Sequence, residues 1–86
     1  MSGEDMELKI ITPKKSETLE VAWVEIETLA GGFVILPGHA PMVATLKPDE
    51  DLRFCLENGK QETIKPLSGT VEVSRKDVKL LLTAVK

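Results

Sequence analysis

The residues able to do chemistry are few and scattered. The chain holds one histidine, His39, and one cysteine, Cys55. That pair cannot build a structural zinc site, which needs several nitrogen or sulfur ligands. Nucleophilic catalysis needs a base beside an activated nucleophile. The serine worth testing is Ser68, in Leu67-Ser68-Gly69. It lacks the Gly-x-Ser-x-Gly elbow and reads as a turn residue whose hydroxyl bonds the backbone. Glu25 and Glu27 share one strand face, but paired glycosidase carboxylates work in an aromatic-lined cleft. One Trp, two Phe and no Tyr cannot line one. The run Asp49-Glu50-Asp51 reads as a solvated turn, short of the ligand spacing a calcium loop requires. Gly31-Gly32 has none of the phosphate-loop residues around it.

What stands out instead is shape. An apolar strand, Phe33-Val34-Ile35-Leu36, runs into Pro37-Gly38-His39-Ala40-Pro41. Two prolines fix φ on either side of a glycine free to adopt other conformations. A rigid loop of this kind suits recognition. His39 can hold the loop by bonding its backbone through a ring nitrogen, or donate to a partner; the two roles are compatible.

The elements that must position this loop read as strands. Leu8 and Ile10 alternate with Lys9 up to Pro13. Val24 and Ile26 alternate with Glu25 and Glu27, while Leu19, Val21 and Trp23 upstream are out of phase. That offset marks a bulge near Ala22 and Trp23, or two strands joined there. Gly31-Gly32 reads as a turn, and residues 33–36 as a short strand covered on both faces. Met42, Ala44 and Leu46 share a face. Leu52, Phe54 and Leu56 share another, and Asn58-Gly59 predicts a type I′ turn folding strand 51–57 onto 60–66. Ser68-Gly69 reads as a further turn into Val71 and Val73. A polar turn at 74–77 leads to a last buried face of Val78, Leu80, Leu82 and Ala84. Leu81 and Val85 fall off that face, onto a covered edge or a partner surface.

These 86 residues allow one small domain with an aliphatic core. Residues 1–5 read as a flexible leader and 6–86 as the domain. The fold class is all-β, a flattened β-sandwich of about eight to ten short strands, with a small open barrel as the second choice. Net charge is −3, with no basic stripe interleaved with aromatics, which argues against nucleic acid. The lone Cys55 reads as a half-buried thiol in a reducing compartment. No apolar run reaches the ~18 residues of a membrane span.

Residues 31–48, GGFVILPGHAPMVATLKP, resemble the epsilon subunit family of F-type ATP synthases. Leu8-Lys9-Ile10-Ile11-Thr12-Pro13 is similar to the family's first strand. Leu67-Ser68-Gly69, followed by Val71-Glu72-Val73, is similar to its Leu-Ser-Gly-Gly segment. The resemblance implies a ten-stranded sandwich at the foot of the rotating central stalk. It implies no catalytic residue, cofactor or small-molecule substrate. The implied role is coupling of c-ring rotation, driven by proton or sodium flow, to ATP synthesis. Its partners would be the gamma subunit and the c-ring, at the cytoplasmic side of a bacterial plasma membrane and peripheral to it.

Carried over by position, the partner interface would include Gly31, Gly32, Phe33, Pro37, Gly38, His39, Ala40, Pro41, Met42 and Ala44. Met42 and Ala44 would serve as an apolar patch facing gamma. The sequence departs from the family at Val34, often glycine there, and at Gly32, near a usual acidic residue. Its 49–51 turn is also more acidic than usual. The family's carboxyl-terminal helical hairpin is expected to be absent, so its inhibitory and ATP-binding roles do not carry over. A free-standing binding module on the same fold is the alternative, and a small hydrolase a weaker third reading.

Overall fold

A computed structural model describes residues 5–85. The expected leader at 1–5 therefore falls almost wholly outside the described residues. Those residues form eight β-strands and no helix: β1 (Met6–Ile11), β2 (Ser16–Thr28), β3 (Gly31–Ile35), β4 (Met42–Thr45), β5 (Leu52–Leu56), β6 (Gln61–Ile64), β7 (Pro66–Val73) and β8 (Asp77–Val85).

β2 organises the fold. Its 13 residues would span about 40 Å if straight, whereas the longest dimension of the molecule is 34 Å. The strand therefore has to bend. Its pairing to β5 slips between Val21 and Trp23, so Ala22 is the extra residue of a bulge. This is the phase break visible in the sequence, within one continuous strand. Before the bulge β2 pairs with β1, and after it with β3. Val21 has Met6 on one flank and Leu56 on the other, while Val24 has Ile35 and Phe54. β1 and β3 thus share one edge of β2, and β5 takes the other.

The result is two layers that share β2. One runs β4-β7-β8-β1-β2, with β8 parallel to β1, and the other β3-β2-β5-β6. Inward side chains from both make one aliphatic core, including Leu8, Val24, Ile26, Ile35, Leu52, Val71, Val78 and Leu80. Each such side chain contributes about 1.5–3 kcal/mol by leaving water. This is the expected all-β sandwich, at the low end of the expected strand count.

Four local expectations are corrected. Residues 33–36 are covered on one face only: Ile35 is buried, while Val34 and Leu36 are 54% and 53% exposed. No third layer lies over β3, so alternation governs it despite its apolar sequence. The turn expected at Gly31-Gly32 lies at Leu29 and Ala30, and both glycines belong to β3. The β5–β6 connection is not type I′, because Asn58 has no positive φ. Gly59 N–H donates to the Leu56 carbonyl at 2.8 Å, and Gly59 alone is left-handed, at φ 93°. That is a type I turn with a glycine bulge, in which the Asn58 Oδ1 accepts from Lys60 N–H at 2.9 Å. Finally, Ser68-Gly69 is no turn. Both residues lie inside β7, where the register against β8 shifts, and the Ser68 hydroxyl bonds that of Thr83 rather than backbone of its own turn.

Candidate functional site

Residues 36–41 leave β3 through a tight turn. His39 N–H donates to the Leu36 carbonyl at 3.0 Å, with Pro37 at the first central position and Gly38 at the second, φ 84°. This is a type II β-turn, in which proline pre-sets the first φ and glycine supplies the positive one. The turn is also tied to the opposite layer. Gly38 N–H donates to the Arg75 carbonyl at 3.3 Å, in the β7–β8 connection. That connection is fixed in turn by the Ser74 hydroxyl, which accepts from Lys76 N–H and Asp77 N–H at 3.2 and 3.1 Å.

His39 takes the backbone-holding role. Its Nδ1 lies 2.7 Å from the Ala40 carbonyl oxygen. A carbonyl only accepts, so Nδ1 carries the proton and, in the neutral ring, Nε2 keeps its lone pair. No serine or cysteine among the polar contacts meets the ring. Among the described residues no cluster of three His, Cys, Asp or Glu could hold a metal ion.

The ten residues marked from sequence do not form one patch. Gly31 and Gly32 begin β3, whereas Pro37, Gly38, His39, Ala40 and Pro41 follow its end. The two ends lie about 20 Å apart along an extended chain. At the first end the buried Thr28 holds the β2–β3 turn: its hydroxyl donates to the Gly31 carbonyl at 2.8 Å and accepts from Ala30 N–H at 3.1 Å. Phe33, Met42 and Ala44 are half-buried and pack against the core. On β4 the outward residue is Val43, 74% exposed.

Sequence reasoning missed a different apolar surface. Register places Glu25 opposite Val34 and Glu27 opposite Gly32 on the outward face of β2 and β3. Trp23, Glu25, Val34 and Leu36 line a shallow depression of about 220 Å³ there. Glu25 meets Arg53 of β5 at 3.6 Å. Glu27 lies across Gly32, where a Cβ would come within 2.7 Å of its Oε2. Cys55, opposite Trp23, is buried and carries a free thiol. The available signal was alternation: once Val24 and Ile26 face inward, Trp23 and Glu25 face out.

Comparison with known proteins agrees with this architecture. The beta-sandwich domain of the ATP synthase delta/epsilon chain matches residues 5–86. The ATP synthase epsilon chain of Clostridium kluyveri is 34% identical over 83 residues, covering 92% of this chain and 60% of that protein. The epsilon chain of Acinetobacter baumannii is 36% identical over 83 residues, covering 94% and 59%. The chain thus spans about 60% of the length of these curated relatives. The same fold occurs in the cryo-EM structure of the Euglena gracilis mitochondrial ATP synthase (OSCP/F1/c-ring, rotational state 1). There the TM-score is 0.87 at 22% identity, over 95% of this chain and 52% of the other. A chain of the Tetrahymena thermophila mitochondrial ATP synthase central stalk and c-ring matches with a TM-score of 0.77 at 16% identity, over 94% and 65%.

Proposed function

The chain belongs to the ATP synthase delta/epsilon chain family through its beta-sandwich domain, and from that premise we propose that it is a non-catalytic rotor subunit of an F-type ATP synthase. In this reading it sits in the central stalk and couples c-ring rotation to ATP synthesis. It reaches the membrane through the complex, on the cytoplasmic side of a bacterial plasma membrane. The observation that carries the reading is the family match along 5–86, together with a recognition loop held by a type II turn and a bond to the opposite layer.

In this reading the two ends of β3 do different work. The end that carries Gly31 and Gly32, beside the turn at Leu29 and Ala30, faces the ring. Pro37, Gly38, His39, Ala40 and Pro41 face gamma, together with Met42 and Ala44. A loop already fixed in its docked shape loses little entropy on binding, and torque passes best through a contact that does not yield. An interface of standard size would cover roughly 800 Å² on each partner.

The test is titration of the chain with its cognate purified gamma subunit by calorimetry, followed by reconstitution with the ring. Stoichiometric binding with a negative heat-capacity change is the expected result, since apolar burial lowers heat capacity. Absence of binding to gamma, and absence from the assembled synthase, would overturn the reading in favour of a free-standing binding module.

A further inference from the structure

Two glutamates stand on the inner faces of the sandwich. In an antiparallel pair, residues directly opposite each other project from the same face. Glu17 of β2 is opposite the buried Ile10 of β1, and Glu62 of β6 is opposite the buried Phe54 of β5. Each glutamate therefore lies on the core side of its layer, one from each layer. Their neighbours two residues on agree, since Leu19 and Ile64 are half-buried and pack against the core.

β6 is an edge strand paired to β5, and residues 16–19 of β2 pair with β1. Between these two segments the layers part, leaving a cavity of about 270 Å³. Ile10, Leu19, Phe54, Leu56 and Ile64 give it an apolar wall, and Glu17 and Glu62 supply its charge, both negative. Each carboxylate has a lysine two residues before it at 3.4 Å, Lys15 for Glu17 and Lys60 for Glu62. Both lysines are 69% exposed, and solvated pairs of this kind hold weakly. An arriving cation can take their place. An inward charge also blunts an exposed strand edge, but that duty needs no apolar cavity behind it.

We propose that this opening binds a slender aliphatic cation, a primary alkylammonium whose chain lies against Ile10, Phe54 and Leu56 while its ammonium bridges Glu17 and Glu62. Three N–H donors let one ammonium serve two carboxylates. The cavity is just under the roughly 300–1,000 Å³ usual for drug-sized ligands, so it takes a single chain rather than a ring system. Its lining shares no residue with the loop at 36–41, and the inference stands independently of the rotor reading.

The experiment titrates the chain alone with n-octylammonium, using octanoate and n-hexylammonium for comparison, all below the concentrations at which they aggregate. Calorimetry is expected to show one site per chain, and the urea midpoint should rise with octylammonium concentration. Methyl NMR shifts should concentrate at Ile10, Leu56 and Ile64. Octanoate, with the same tail length class and the opposite charge, should bind at least about tenfold more weakly. Hexylammonium should lose about fourfold for each methylene removed. Glu17→Gln and Glu62→Gln should each weaken octylammonium binding, and each is unfolded in urea without ligand so that folding is read separately. If either variant fails to fold, the octanoate comparison and the methyl shifts still decide. Absence of saturable binding, equal binding of octanoate, wild-type affinity in both glutamine variants, or methyl shifts centred elsewhere would each overturn the proposal and leave the two glutamates as edge protection. None of these results touches the rotor reading, which is tested by gamma.

Discussion

Gly38 donates its N–H to the carbonyl oxygen of Arg75 at 3.3 Å, and so joins the β3–β4 loop to the β7–β8 turn across the two layers of the sandwich. A loop fastened only at its ends could swing on its strands. This one has a third attachment, made by backbone alone. The loop is thereby held against the sheet behind it, which the proposed docking role requires.

Gly38→Ala tests that attachment. A Cβ at 38 meets nothing within 4 Å, so the cost comes from φ of 84° rather than from packing. A left-handed L-residue costs roughly 1–2 kcal/mol. Urea unfolding should show a loss of that size. Titration with gamma should show a larger loss if the loop relaxes into another turn.

Pro37 and Pro41 separate binding from folding. Pro37 sits where a type II turn wants its φ pre-set. Replacing it with alanine enlarges the unfolded ensemble and costs about 0.4–1 kcal/mol of stability. Pro37→Ala and Pro41→Ala are expected to weaken gamma binding by more than they lower stability, because the docked shape is no longer held in advance. Equal losses in the two measurements would make the prolines scaffold residues only.

Gly69 has a different reason to be glycine. A Cβ there would stand 2.5 Å from the Leu81 carbonyl oxygen and 2.9 Å from the Leu82 Cδ2. The first of these is backbone of the paired strand, at a register shift, and cannot move aside alone. Gly69→Ala should lower the free energy of unfolding by about 1–3 kcal/mol, the range for overpacking. A chemical-denaturation curve within 0.5 kcal/mol of wild type would show, by the usual spread of neutral surface changes, that β7 and β8 part easily there.

The parts of the fold that sequence revealed are those where polar and apolar residues alternate. β1 alternates through Met6, Leu8 and Ile10, β5 alternates from Leu52 to Phe54, and the out-of-phase run from Leu19 to Trp23 located the bulge in β2. Residues 33–36 were opaque because four consecutive apolar residues fit either a covered or a half-covered strand. Only the register with Glu25 and Glu27 decides which of them face out. The turn at 57–59 was misread because Asn-Gly serves both a type I′ pair and a type I turn with a following glycine, and loop length separates them. For the candidate site, residue types marked the loop and its histidine, whereas the depression at Trp23, Val34 and Leu36 arises from pairing between strands that no local pattern encodes.

Thr28 provides the last test, at the end of β3 proposed to face the ring. Among the described residues it is the one buried polar side chain, 2% exposed, and its hydroxyl bonds both Gly31 and Ala30. Thr28→Val keeps the shape and removes both bonds. Gly31 and Ala30 are exposed, so water can replace part of what is lost. The global cost should therefore stay near 1 kcal/mol, while the turn itself loosens. Hydrogen exchange should speed at the Ala30 amide with little change at Val24 or Ile35. Thr28→Ser, which retains the hydroxyl, should restore slow exchange. If the ring contact depends on an ordered turn, Thr28→Val should weaken association with the ring and leave gamma binding intact. Equal weakening of both would mean that the two ends of β3 do not work separately.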